Sequence, residues 1–357
     1  MKTIKGPYFV AAALTMMLAV MLAACGTTSV PFMGPRLPDL TSYLLMRTDA
    51  GARAPTPASV DDAADVLAGF DVIFIGEAHE HPGSHLAEMS LLRAIYTRAR
   101  NLTLSMEQFE RDVQPVVDDY LADKIGEAPF MRNARAWGNY STSYRPLVEF
   151  AKEHKLPVVA ANAPEKIVRC VGKEGEAFFA RLKPEQRAWA AATLNLQDGP
   201  YKDKFMGFAG GDAGHGGEET TDKPGDKPAP RKPPSETAIR SFAAQVTRDD
   251  TMAESIAQHL QKNPGRKVVH IDGSFHSESF LGTVERLKLR MPNLKIAVVN
   301  PEFAEDPLHP KVAPDDAKTG TFVLLLRELP EFYANEQEMR DAIKRQLEAR
   351  AKTTCEL

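Results

Sequence analysis

Apolar and polar positions alternate in two registers along most of the chain. Short runs rich in Val, Ile, Leu and Phe, namely "VIFIGE", "NLTLSMEQF", "LPVVAANAP", "KVVHIDGSF" and "LKIAVVN", predict strands that are apolar on both faces. The segments between them carry apolar residues at helical spacing. In "HLAEMSLLRAIYTRAR", Leu86, Met89, Leu92 and Ile95 form one face, and "SYRPLVEFAKEHK" and "TMAESIAQHLQK" behave likewise. Doubly buried strands separated by amphipathic helices predict an α/β domain, a mainly parallel sheet with helices on both faces. Ser59 stands where a helix N-cap belongs, with acids in the first turn after it. "TGTFVLLLREL" predicts one more strand, at an edge, and "EQEMRDAIKRQLEAR" a terminal helix.

Three stretches fall outside this plan. "MKTIKGPYF" carries Lys2 and Lys5, an apolar run follows, and "LAAC" ends at Cys25. That is the layout of an export signal over residues 1–24, too short for a stable membrane span. The ending resembles a bacterial lipobox, which implies cleavage before Cys25 and acylation of its sulfur. No Asp follows Cys25, so the expectation is an outer-membrane lipoprotein facing the periplasm. Residues 25–56, rich in Pro, Gly and Thr, read as a tether from that anchor, and 57–350 as the folded domain. Within it, residues 210–236 hold Gly, Pro and charge with almost nothing to bury, and read as a disordered insertion or long surface loop.

Charge narrows the partners. The formal net charge is −4, and removing Lys2 and Lys5 with the signal takes it to −6. No basic cluster stands out, which argues against nucleic acid. Cys170 and Cys355 are the other cysteines. An oxidising compartment permits them to pair, but their spacing leaves the pairing open. No CxxC site occurs.

Candidate chemistry collects at the strand ends. The first strand stops at Gly76, Glu77, Ala78 and His79, the second near Glu107 and Gln108, and the third at Asn162 and Pro164. The fourth ends with Asp272, Gly273, His276 and Glu278. Open parallel sheets bind ligands beyond the carboxyl ends of their strands. Glu77, His79, Glu107 and His276 make a mixed carboxylate and imidazole set. It suits Zn, Mn, Co or Fe, or general acid and base work on an ester or amide. HExxH and GxSxG are absent. His81 and His85 flank the Pro-Gly start of the next helix and read as exposed first-turn residues. The free N–H groups of that helix start could meet a carboxylate of a ligand. Trp137, Tyr140 and Tyr144 lie on a loop in "RAWGNYSTSYRPLVEF". They read as a packed lid, or as an aromatic surface whose phenol oxygens could ligate ferric iron in a porphyrin.

Five features in order carry a resemblance: "VIFIGEAHEHPGSH", Glu107 at the second strand end, "YRPLVEFAKEHKLPVVAANAPEKIV", "RDDTMAESIAQHL", and a Gly-x-x-His after the fourth strand. Together they resemble the ChaN-like proteins of the Tiki and erythromycin-esterase-like superfamily over roughly residues 60–300. That resemblance implies an α/β domain. In the ChaN branch it implies a lipoprotein that binds haem for haem or iron uptake, as a homodimer sandwiching haems. Tyr140 or Tyr144 would then ligate the iron, with His79, His81 or His276 on the second face or the propionates. Other branches imply a metal-dependent hydrolase, protease or esterase, carried by Glu77, His79, Glu107 and His276. The fourth motif reads "DGSFH" here, where relatives often carry Gly-Asn or Gly-Ala before the histidine.

Overall fold

The computed structural model of the chain describes residues 35–48, 54–210, 234–352 and 354–356. The expected signal with Cys25, and most of the 210–236 insertion, lie outside the described residues. The strands are β1 (Tyr43–Arg47), β2 (Thr56–Ala58), β3 (Val72–Glu77), β4 (Leu102–Glu110), β5 (Val158–Asn162), β6 (Lys267–Gly273), β7 (Ile296–Phe303) and β8 (Phe322–Leu326). They form an eight-stranded sheet in the order β2-β1-β8-β7-β3-β6-β4-β5. The pairs from β8 through β5 are parallel, and β1 runs antiparallel to both β8 and β2.

The period-two rule divides the core into two layers. Ile73, Ile75, Val269, Ile271, Ala297 and Val299 face a large cluster beneath helices Val60–Leu67, Pro82–Arg98, Gln114–Leu121 and Arg145–Glu153. Val72, Phe74, Val268, Ile296 and Val298 face the other way, against helices Glu236–Lys262 and Thr283–Arg290. Burying both faces explains why these strands are near-continuous apolar runs. Ser59 caps Val60–Leu67 with a reciprocal capping box, its hydroxyl accepting from the Asp62 amide.

Three expectations change. "TGTFVLLLREL" forms β8 between β1 and β7, not an edge; the edges are β2 and β5. Part of the expected tether is sheet, because "YLLMR" in β1 has apolar residues to pair against β8 and bury Leu45 and Met46. Helix Pro82–Arg98 keeps Met89, Leu92 and Ile95 of its expected face against the core but departs from it at Leu86. Leu86 is 48% exposed, whereas His85, Glu88, Leu91, Leu92 and Ile95 are buried. Cys170 and Cys355 are disulfide-bonded with Cα atoms 5.5 Å apart, tying the tail to helix Glu165–Glu174.

Candidate functional site

Parallel register brings the strand ends level. Glu77 of β3 sits opposite Gly273 of β6, and Met106 of β4 opposite Ile271 of β6. The four residues expected from the strand ends therefore meet at one edge of the sheet. A row of alternating carboxylates and imidazoles results, in two segments that abut at Gly273.

Glu77 organises the first segment. Its Oε1 accepts from Tyr144 Oη at 2.8 Å and Gln108 Nε2 at 3.0 Å, and pairs with His79 Nδ1 at 2.8 Å. Its Oε2 is buried with no hydrogen-bond partner. His85 Nδ1 lies 3.3 Å from that oxygen and 3.2 Å from Glu88 Oε2, while Ser84 Oγ reaches Glu88 Oε1 at 3.4 Å. Burial and the nearby Glu77 charge push the Glu88 carboxyl up to about 7, even against its hydrogen bond with His85. Burial lowers His85, but the hydrogen bond and charge of Glu88 outweigh it and raise the imidazole above its usual value.

The second segment centres on His276. Its Nε2 is 3.3 Å from Glu107 Oε1 and its Nδ1 2.7 Å from Asp249 Oδ1. Glu107 Oε2 accepts from the Gly273 amide at 2.7 Å, and Asp249 also accepts from Thr283 Oγ1 and Tyr201 Oη. Burial opposes charge on every member, but mutual attraction wins. His276 is raised well above the usual imidazole range, and Glu107 and Asp249 are lowered. Both ring nitrogens face carboxylates, so His276 is held as an imidazolium. Asp272 points elsewhere, accepting from Ser277 Oγ, and burial keeps it protonated well above the carboxylate range. Burial also pulls His270, which bonds Ser105 Oγ, down to about 3.

His79 joins the two segments and is the one imidazole of the row open to solvent, with its side chain 50% exposed. Nδ1 is held by Glu77, and Nε2 makes no hydrogen bond among the described residues. Burial lowers this group, while the Glu77 hydrogen bond and the Glu77 and Glu107 charges raise it further. Trp137 lies edge-on at 5.5 Å. Gly273 makes the close approach possible, since a Cβ there would stand 2.6 Å from His79 Nε2 and 3.6 Å from Glu107 Oε2. Glu80, next in the chain, adopts φ 64°, a left-handed conformation rare for a residue with a side chain.

The other expected residues are placed differently. His81 is buried as the N-cap of helix Pro82–Arg98. Its Nδ1 accepts from the Gly83 and Ser84 amides and its Nε2 bonds the Arg327 carbonyl at 2.7 Å. Both nitrogens are therefore engaged, and these helix-start amides are used within the protein. Tyr140 and Tyr144 bound a single π-helical turn, Tyr140–Tyr144, that turns both inward. The Tyr140 hydroxyl is buried without a partner near Phe109 and Phe130. Burial, followed by nearby negative charge, raises both phenols above their usual range. The tyrosines are thus core residues, and Trp137 alone of that loop trio borders the site partly exposed.

Sequence reasoning did not find His85, Glu88, Asp249 or Tyr201 as partners. The available signal was acids placed within apolar helix faces: Glu88 before Leu91 and Leu92, and Asp249 between Val246 and Ala253.

Comparison with known proteins agrees with the fold. A ChaN protein of Campylobacter jejuni, described with cofacial haem binding, superposes with a TM-score of 0.54 at 15% identity, covering 80% of this chain and 97% of that one. An erythromycin esterase mutant in its open conformation gives a TM-score of 0.42 at 11% identity, covering 84% and 87%. The Arabidopsis thaliana protein RETICULATA-RELATED 5, chloroplastic, is 23% identical over 111 residues, 29% of this chain, and the match spans only 15% of that relative's length. The family described as haem-binding uptake, Tiki superfamily, ChaN, matches residues 63–287, more than half of the chain. The protein therefore belongs to the ChaN family of the Tiki superfamily.

Proposed function

We propose that this protein binds haem at the β3–β6 lip, where His79 Nε2 would hold the iron, and serves haem or iron uptake. Haem offers a flat apolar macrocycle and an iron that needs one or two axial donors. His79 fits that demand. Its Nε2 makes no hydrogen bond among the described residues, its half-exposed ring lies beside Trp137 and against Gly273, and Glu77 fixes its orientation through the other nitrogen. The tyrosines fit it poorly, since Tyr144 Oη is bonded to Glu77 and Tyr140 Oη is enclosed. Haem would supply the iron centre; His79 would hold it, Glu77 would keep His79 in one tautomer, and Glu77 and Glu107 would favour a cationic metal.

The setting of this function is part of the same reading. Lys2, Lys5, the apolar run and "LAAC" support export and a lipid anchor at Cys25, hence an outer-membrane lipoprotein facing the periplasm. The Cys170–Cys355 disulfide suits an oxidising compartment. A homodimer with facing haems suits an iron ligand at an exposed lip.

The observation that carries the reading is a half-exposed His79 whose Nε2 is left without a hydrogen bond among the described residues, in a chain of this family. Titrating the chain from Gly26 onward with haem should give a saturable Soret shift. His79→Ala should lose it, and Tyr140→Phe and Tyr144→Phe should keep it. An unchanged Soret band in the wild-type protein overturns the proposal.

The hydrolase alternative rests on Glu77, His79, Glu107 and His276 acting together. The paired carboxylates around His276 favour a fixed imidazolium over a free base. His79 is then the remaining base, and hydrolysis of an ester or peptide that is lost in Glu107→Ala with the fold intact would favour this reading.

A further inference from the structure

The buried end of the row is left over from haem binding at His79. Glu77, His85 and Glu88 lie there with side-chain exposures of 0%, 7% and 0%. One ligand atom from each falls within 4.8 Å of the others. We propose that these residues form a site for a single divalent transition-metal ion, held by Glu77 Oε2, His85 Nδ1 and Glu88 Oε2 and separate from any haem.

Three features point to a cation and not merely to an acidic cluster. First, each carboxylate has one oxygen tied down and the other turned to a shared point. Glu77 Oε1 is occupied by His79, Gln108 and Tyr144, and Glu88 Oε1 by Ser84. That is how outer hydrogen bonds orient metal ligands. Second, Glu77 Oε2 is fully buried and unpartnered. A buried carboxylate oxygen without a donor is costly, and a cation removes the cost. His85 cannot serve both acids, because its hydrogen bond goes to Glu88. Third, His85 Nδ1 stands 3.3 and 3.2 Å from the two carboxylate oxygens, within the separation of about 4.4 Å or less expected of donors held about 2.0–2.2 Å from one ion, and all three donors gather within 4.8 Å.

The donor set selects the ion. Two carboxylates and one imidazole suit Zn²⁺, Mn²⁺ or Fe²⁺. They lack the thiolates that copper(I) prefers and the many oxygens that Ca²⁺ requires. The ring of Tyr144 packs edge-on against His85 at 5.1 Å and walls one side of the site. With three protein ligands, the ion would keep one open position for water or another small ligand. The site rests on no assumption about haem.

The test uses the haem-free protein after chelation, titrated with Zn²⁺ against a chromogenic competitor. Wild type should bind one Zn²⁺ per chain. Glu88→Gln, which keeps the side-chain shape, should weaken it at least tenfold, and surface His309→Ala should leave it unchanged. Absence of a one-to-one site, equal affinity in Glu88→Gln, or loss in His309→Ala alone overturns the proposal. X-ray absorption on the zinc-loaded wild type covers the case in which Glu88→Gln does not fold. One imidazole among oxygen ligands supports the site, and two or more imidazoles contradict it.

Discussion

Gly273→Ala separates the position of His79 from its chemistry. Gly273 has φ −61° and ψ 135°, which alanine adopts without strain. The added Cβ would meet His79 Nε2 at 2.6 Å and Cε1 at 3.0 Å, so the imidazole must swing out. Because that side chain is half-exposed, it has room to do so. The swing breaks the hydrogen bond to Glu77, worth about 1.5–3 kcal/mol when a charged group takes part. Alanine returns about 0.4–1 kcal/mol through the unfolded chain. The net loss is about 0.5–2.6 kcal/mol, a fall of several degrees or less in midpoint for a domain of this size. The Glu107 hydrogen bond to the Gly273 amide involves backbone and survives. Haem affinity should fall further than stability, by about 10–100-fold, because the ligand loses its orienting partner. Soret titration and thermal unfolding of the same preparation read both effects. Wild-type haem affinity in Gly273→Ala would refute His79 as the ligand held by this approach.

Three further perturbations test other parts of the account. Tyr144→Phe removes one of three groups on Glu77 Oε1 and should cost roughly 1.5–3 kcal/mol in urea unfolding while the Soret shift persists. His276→Gln tests the charged row through pH. A raised imidazole stabilises fully below its unfolded value of 6.5, and that contribution is lost as pH rises through the higher folded value. The wild-type midpoint should therefore decline on the alkaline side more steeply than that of His276→Gln, and parallel curves would count against the imidazolium. Cys355→Ser opens a loop of 185 residues and should destabilise by roughly 2–5 kcal/mol in non-reducing guanidinium unfolding. An unchanged midpoint would mean that the tail bears no constraint.

Much of the site was legible because buried strands advertise their own ends. A run such as "VIFIGE" has no reason to stop at a carboxylate unless the carboxylate has partners, and parallel topology sends all such ends to one edge. Glu77, His79, Glu107 and His276 were found that way. In helix Pro82–Arg98 the burial of His85 and Glu88 was missed because apolar periodicity assigns them to the solvent face. Only the acceptors and donors of a neighbouring strand make burying them favourable, and that is tertiary information. Asp249 was hidden for the same reason, in a helix whose face includes Val246 and Ala253. Of the two readings left open for the tyrosines, the packed one is what the structure shows, because a π-helical turn sets which residues point inward. β1 was hidden by its Pro- and Gly-rich flanks, and its pairing with β8 spans almost the whole described chain.

The ligand type in the ferric haem complex tests the central claim most directly. Resonance Raman and electron paramagnetic resonance spectra of the wild-type complex should show an imidazole nitrogen on iron, and His79→Ala should lose it. A phenolate-to-iron signature that vanishes in Tyr140→Phe or Tyr144→Phe would contradict the account, since both phenols are buried here and one is bonded to Glu77.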